Sequence, residues 1–204
     1  LHGVGGWSGG RGRGGARGVG RHGGGRGGSA AGGGWGWGGG VEANEGVDEE
    51  AALEDVVRLH NIQLPADITV NEETGMGGEF APPVQQVSHW FRDKGVAFPV
   101  RPAEFAQRDV RLVGARLSNV RERRAAALYY ELQDGQRLTV VVTDANVQDD
   151  DTEELQVGDH SVLFRDVHGH SVPLRREGNL SYAFTGDVDR ETLLRLAATA
   201  RVRP

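Results

Sequence analysis

Three histidines, His160, His168 and His170, fall close together in the sequence, with Asp159 and Asp166 beside them. Imidazole and carboxylate side chains at short spacing are the donor set of a zinc-type site. Alternate residues around a turn are also where solvated polar side chains ordinarily fall, and the spacing here carries no more than that. The acidic run "DDDTEE" raises a calcium site. Counted from Asp144, however, the sixth position is Asp149 instead of glycine and the twelfth is Leu155 instead of glutamate, so the EF-hand pattern fails and a solvated loop is expected.

"GWSGG", residues 6–10, has the Gly-x-Ser-x-Gly spacing of a hydrolase nucleophile elbow. That chemistry needs a buried strand before Ser8 and a helix after it, and a glycine tract supplies neither. No glycine run is followed by Gly-Lys-Ser or Gly-Lys-Thr, so a phosphate loop has no support. The sequon Asn179-Leu180-Ser181 lies in an expected strand and is set aside. No catalytic residue, cofactor-binding residue or metal ligand is assigned, and no enzyme activity is expected.

The elements that would have to position any such chemistry begin only after residue 40. Residues 1–40 hold 22 of the 33 glycines, three of the four tryptophans, five arginines and no acid. Removing those five charges from the net of −6 leaves −11 on the remainder, so a basic tract precedes an acidic body. Such a tract buries too little apolar surface to offset the ordering of its backbone and is expected to be disordered. Its "RGRGGARGVGR" resembles an arginine-glycine RNA-binding segment, in which guanidinium groups meet phosphates and aromatic rings stack on bases. An RNA-binding protein with a folded interaction domain is therefore the alternative reading. The acidic body argues against it, since phosphate binding needs clustered Lys and Arg. Cysteine is absent, which excludes disulfides and thiolate zinc sites. No apolar run is long enough for a membrane span or a signal peptide, and a start at Leu1 suggests a fragment or processed form.

In the body, an amphipathic helix is expected from about Asp48, as its cap, to His60, with Leu53, Val56, Val57 and His60 on one stripe. "NIQLPADITV" reads as an extended arm and "NEETGMGGEFAPP" as a loop. A second helix is expected over Pro83–Lys94, closed by Gly95, with Val84, Val87 and Phe91 on one face. "VAFPVRPAEF", with two prolines, reads as an ordered extended connector.

From Asp109 the apolar period becomes two. Val110 and Leu112 have one parity and Val113, Ala115 and Leu117 the other, which places a bulge at Gly114. "RAAALYYEL" and "RLTVVVT" flank Asp134-Gly135-Gln136, and a hairpin centred on Gly135 sets Tyr130 opposite Val140 and Leu128 opposite Val142. Arg137, Thr139 and Thr143 then point the other way, toward solvent, as does Val141. After a long polar loop, "HSVLFRD" and "HSVPLRR" form a second hairpin around His168-Gly169-His170, with Phe164 opposite Leu174 and Pro173 marking an edge or bulged strand. A strand bearing Leu180, Tyr182 and Phe184 leads into a helix capped by Asp189, whose stripe is Leu193, Leu194, Ala197 and Ala200. Trp90, Phe91, Phe98, Tyr129, Tyr130, Tyr182 and Phe184 are read as core. The expected fold is α+β: an antiparallel sheet of about six strands with helices packed on one face.

"VQQVSHWFRDKGVAFPVRP", "VRLVGARLSNVRERRAAALYYELQDGQRLTVVV" and "GNLSYAFTGDVDRETLLRLA" together resemble the extracytoplasmic domain of membrane-anchored bacterial anti-sigma factors, the transmembrane transcriptional regulator family. The matching positions are Trp90-Phe91, Phe98-Pro99-Val100, Val113-Gly114-Ala115-Arg116-Leu117, then Tyr182, Gly186, Asp189, Leu193, Leu194, Leu196 and Ala197. The resemblance covers residues 50–202 and implies a signal-transducing regulator, with a sigma factor as cytoplasmic partner and an extracytoplasmic protein or ligand as signal. Two parts of the family pattern are missing, the cysteine-containing zinc motif and a written membrane span, so sigma-factor binding is assigned to no residue here.

The glycine tract occupies the place of that span. Trp35-Gly36-Trp37-Gly38 is encoded by TGG GGN TGG GGN, which read two nucleotides later alternates glycine with Leu, Val or Met. Residues 1–45 are accordingly read as either a disordered segment or a membrane span translated out of frame. Residues 46–108 are expected to form a helical and extended arm and residues 109–204 the α+β domain. The protein is expected to be anchored in the inner membrane, with residues from about 46 onward periplasmic.

Overall fold

The change of period at Asp109 marks the start of the seven longer strands of a single antiparallel sheet. The computed structural model describes residues 45–70, 81–106, 109–147 and 151–202, all within the unit Gly40–Pro204. The glycine tract, with its Gly-x-Ser-x-Gly and arginine-glycine motifs, lies outside the described residues. In chain order the elements are α1 (Glu45–Asn61), β1 (Ile68–Thr69), α2 (Pro83–Asp93), β2 (Val110–Val120), β3 (Arg123–Leu132), β4 (Arg137–Thr143), β5 (Glu153–Val157), β6 (His160–Val167), β7 (His170–Glu177), β8 (Leu180–Gly186) and α3 (Arg190–Thr199).

The fold is α+β as expected, but the sheet has eight strands, in the order β1-β2-β3-β4-β8-β7-β6-β5. The two strands beyond the expected six are its edges. β1 is only two residues long and sits in the extended arm. β5 comes from the acidic stretch read as loop, where Leu155 and Val157 pack against the core while Glu153 and Glu154 stay exposed.

The second correction concerns the faces. Even-numbered residues of the central strands, Leu128, Val140, Val142, Tyr182 and Phe184, pack with Val87 and Phe91 of α2 and Leu193, Leu196 and Ala197 of α3. The opposite face carries Ala125, Val141, Val172 and Ala183, and α1 covers it with Leu53, Val56 and Val57. Helices therefore pack on both faces, and Val141 is fully buried instead of facing solvent. The run Val140-Val141-Val142 has the near-continuous apolar character of a strand covered on both sides. Burying each of the three α1 side chains contributes about 1.5–3 kcal/mol, enough to hold that helix on the sheet.

Registers follow from turn chemistry. The bulge falls between Leu112, opposite Tyr130, and Gly114, opposite Tyr129. A Cβ at Gly114 would lie 2.7 Å from the Ile68 carbonyl oxygen, so glycine there admits β1. The β3–β4 hairpin pairs Leu128 with Val140 and Tyr130 with Leu138, two residues from the expected register. The same face stays apolar, because a two-residue shift preserves parity. Its loop closes with Gly135 at φ +82° and the Gln136 amide donating to Asp134. At the β6–β7 turn, His168 and Gly169 both have positive φ, the two-residue turn favoured by strand twist. His170 thus begins β7, and Phe164 pairs with Pro173 instead of Leu174. β7 is also an interior strand, contrary to the expectation from Pro173. Its ladder to β8 starts only at Leu174, so the missing proline N–H interrupts nothing.

α1 begins at Glu45, so Asp48 lies inside it and is not its cap. α2 ends at Asp93 with Gly95 at φ +68°, as expected. α3 is capped by Asp189, whose carboxylate accepts from the Thr192 amide.

Candidate functional site

Among its described side chains, α1 buries one polar group against the sheet. His60, in its last turn, continues the apolar stripe and ends 3% exposed beneath the helix. Its Nδ1 lies 2.9 Å from Thr139 Oγ1 on β4, and its Nε2 lies 3.1 Å from Asp187 Oδ1 just past β8. A neutral ring satisfies both contacts: the Thr139 hydroxyl donates to Nδ1, and Nε2–H donates to the carboxylate. The other oxygen of Asp187 accepts from Arg137 Nε at 2.9 Å and Nη2 at 2.8 Å.

Glycine makes this convergence possible. Gly186 stands opposite Leu138, and a Cβ there would lie 2.9 Å from the Arg137 carbonyl oxygen. The close approach lets the Asp187 amide donate to that same carbonyl at 2.9 Å, which sets its carboxylate between Arg137 and His60. Two residues later Asp189 caps α3. The sequence "GDVD" thus supplies a close contact, an ion-pair partner and a helix cap in four residues.

Burial is the main influence on His60 and lowers its pKa from the ordinary 6.5; Arg137 and His170 act in the same direction, and Asp187 opposes them. Partial burial raises Asp187, but hydrogen bonds from Arg137 and His60 outweigh it and hold the carboxyl below 3.8. Thr139, His60 and Asp187 have the order of a nucleophile, base and orienting acid. The Thr139 hydroxyl, however, is buried in the middle of a strand paired on both sides, with its backbone N–H committed to the ladder. What the arrangement does is anchor α1 to β4 and to the β8–α3 junction.

Beside the anchor lies a cavity of about 360 Å³, whose lining includes His60, Leu64, Val113, Tyr129 and Arg137. Ile62 and Leu64, just past α1, are the large apolar residues left exposed among the described residues. The Tyr129 hydroxyl is buried with no hydrogen-bond partner, and burial raises its pKa. Tyr129 is thus only half-buried against the cavity, as Trp90 is beside Phe91, while Phe91, Phe98, Tyr130, Tyr182 and Phe184 are core as expected.

The histidine cluster considered from the sequence is not assembled. His160 opens β6, and His168 lies beyond its far end, roughly 25 Å away at about 3.3 Å per strand residue. His168 pairs with Glu54 of α1 at 2.9 Å, and His170 lies 3.3 Å from the Asn61 side chain. No group of three metal-ligating side chains occurs among the described residues. The local sequence gave no sign of the His60 anchor, because its partners are 79 and 127 residues away.

No protein-family model matches the chain, and no curated protein matches it. Among solved structures it is similar to the crystal structure of MucB in complex with MucA(peri), at 17% sequence identity and a TM-score of 0.34. The match covers 50% of this chain and 36% of that one. Likeness at that level is partial and assigns this chain neither partner nor role. No helix among the described residues is long and apolar enough to cross a membrane.

Proposed function

We propose that residues from about 46 onward form the extracytoplasmic domain of a membrane-anchored anti-sigma factor, a regulatory module without catalysis that controls transcription through a sigma factor. The observation that carries this reading is the mechanical use of the residues behind the family resemblance. Gly114 admits β1 at the bulge, Gly186 brings β8 against Arg137, and Asp189 caps α3. Phe98 and Val100 anchor the connector in the core, and Phe91, in the last turn of α2, is fully buried. These positions are far apart in sequence, and each has a structural role in one fold, which supports reading the pattern as that of a domain. The domain also suits a relay, since α1, the element nearest the tract where a span is expected, is held on the sheet by the His60 anchor.

Deleting the gene and measuring all transcripts tests the proposal. The expected result is derepression of one coherent set of promoters, abolished when a single sigma-factor gene is also deleted. An unchanged transcript profile would overturn it. Resequencing the gene through codons 1–45 tests the membrane anchor separately: an alternative frame should yield about 20 predominantly apolar residues.

A further inference from the structure

The cavity beside the His60 anchor is bordered by a short strap of chain. α1 ends at Asn61, and Gln63 takes the left-handed turn that follows it, at φ +50°, after which Leu64 stands at the cavity mouth. Beyond the mouth the chain is fastened to β2. Arg116 Nη1 donates to the Pro65 carbonyl at 2.8 Å, the Asp67 amide to the Ala115 carbonyl at 2.9 Å, and the Leu117 amide to the Asp67 carboxylate at 2.9 Å. His60 fastens the other end through Thr139 and Asp187. Ile62, Gln63 and Leu64 span the gap, with exposed apolar side chains at 62 and 64.

Size and lining together limit what the cavity can hold. A volume of about 360 Å³ is that of a small-ligand site, and an apolar cavity of about 150 Å³ already takes benzene, so the space fits a body of roughly two fused rings. Leu64, Val113 and the Tyr129 ring supply apolar wall. The charged neighbours are already paired: Arg137 holds Asp187, Glu131 is 2.8 Å from Arg111, and burial favours the neutral form of His60. An anionic ligand would meet Glu131, with Asp187 behind Arg137, and a cationic one would meet Arg137, so the lining opposes either charge. Arg137 spends Nε and Nη2 on Asp187 and keeps Nη1, a donor with no partner among the described residues. The hydroxyl of Tyr129, another wall residue, is likewise unpaired. Both groups can donate, which matches the site to a ligand that accepts.

We propose that this cavity binds a small uncharged molecule with a flat apolar body and one carbonyl-type acceptor. The body lies against Leu64, Val113 and the Tyr129 ring, and the acceptor takes a hydrogen bond from Arg137 Nη1. His60 of α1 and Leu64 just past it are walls of the cavity, so lifting α1 from the sheet dismantles the site. A ligand that binds only the docked form stabilises it, and the occupant therefore holds α1 down. On the regulatory reading such a molecule is the signal. The site does not depend on that reading, since a transcript profile and a binding isotherm succeed or fail separately.

Titrating the ¹⁵N-labelled full chain with 2-acetylnaphthalene and following amide NMR shifts tests it. Saturable shifts centred on Gln63, Leu64, Val113 and Tyr129 are expected, with a Kd on the order of 0.1 mM. Naphthalene, which lacks the acceptor, and 2-naphthoate, which carries a charge, should each bind about fivefold more weakly or worse. Leu64→Trp, a surface change that fills the mouth, should weaken binding about tenfold with Tm unchanged. Arg137→Lys should erase the preference for 2-acetylnaphthalene over naphthalene, whatever it does to stability, because the ammonium stays on Asp187 and no planar fork remains. Four results would overturn the proposal: shifts absent or centred elsewhere, an unchanged Kd in Leu64→Trp, 2-naphthoate binding as tightly as 2-acetylnaphthalene, or the preference kept in Arg137→Lys. Hydrogen exchange of the α1 amides should slow at saturation, and unchanged exchange would overturn the hold on α1.

Discussion

His60 Nε2 lies 3.1 Å from Asp187 Oδ1, a contact between the last turn of the first helix and the turn that starts the last one. It closes a link of 127 residues and ties α1 to the final structural unit. Truncation at His60 leaves a cavity and strips a partner from the buried Thr139 hydroxyl, so His60→Ala should cost about 2–4 kcal/mol. Asp187 is 42% exposed on its side chain, so Asp187→Ala alone should cost less. A double-mutant cycle by urea unfolding should return a coupling energy of about 0.5–3 kcal/mol. Strict additivity would mean that the two groups do not interact.

The same contact predicts how stability follows pH. Folding holds the His60 pKa below 6.5, chiefly through burial, so the neutral ring is the folded form. As pH falls through 6.5 the unfolded chain binds the proton first, and stability decreases from there down to the folded pKa. Above 6.5 the contribution is complete. Asp187 acts in a separate, more acidic window below 3.8, where protonation of the folded carboxyl removes its pairing with Arg137 and His60. Unfolding free energies measured between pH 5 and 7.5 should rise with pH in the wild type, with a visibly flatter slope in His60→Gln. Equal slopes would show that another group sets the acid sensitivity.

How much of this was legible depended on the range of the interaction. The Gly114 bulge, the Asp189 cap and the Gly95 stop could be placed because each is specified within a few residues. β5 was hidden by composition: five residues carrying two glutamates, next to an acidic run, read as loop, although Leu155 and Val157 alternate correctly. β1 is two residues long and exists only because Gly114 lets it approach. His60 was placed on the buried stripe, but nothing local marked it as an anchor, since Thr139 and Asp187 are brought to it by the sheet.

The covering of the second face was the costliest omission, and it can be tested directly. Val140 and Val141 are both fully buried, one against α2 and α3 and the other against α1. An aspartate at either site places an unpaired carboxylate in a packed layer. Val140→Asp and Val141→Asp should each cost about 3–5 kcal/mol. If Val141→Asp unfolds at the wild-type urea midpoint while Val140→Asp does not, α1 does not lie on the sheet in solution.

Gly186→Ala tests the junction that feeds the anchor. The added methyl would sit 2.9 Å from the Arg137 carbonyl oxygen, a backbone atom of a central strand that cannot move aside cheaply. A loss of about 1–3 kcal/mol is expected, as for overpacking elsewhere. Gly135→Ala meets no atom within 4 Å but must hold φ +82°, so it should cost only about 1 kcal/mol. Equal losses at the two sites would show that the close approach at Gly186 is relieved in solution.

Adjacent tyrosines should respond to the same substitution with opposite signs. The Tyr130 hydroxyl is buried and donates to the Ala103 carbonyl at 3.0 Å, which pins the connector to the sheet. Tyr130→Phe leaves that carbonyl unpaired and should cost about 1–3 kcal/mol. The Tyr129 hydroxyl is buried too, yet it has no partner, and Tyr129→Phe removes a desolvated group that repays nothing. Its effect should lie between neutral and a gain of roughly 1 kcal/mol. Thermal unfolding of the two variants decides the point. A marked loss in Tyr129→Phe would mean that the hydroxyl is satisfied in solution by water or by an occupant of the 360 Å³ cavity beside it, and repeating the melt with that cavity's mouth residue changed, Leu64→Trp, would distinguish the two.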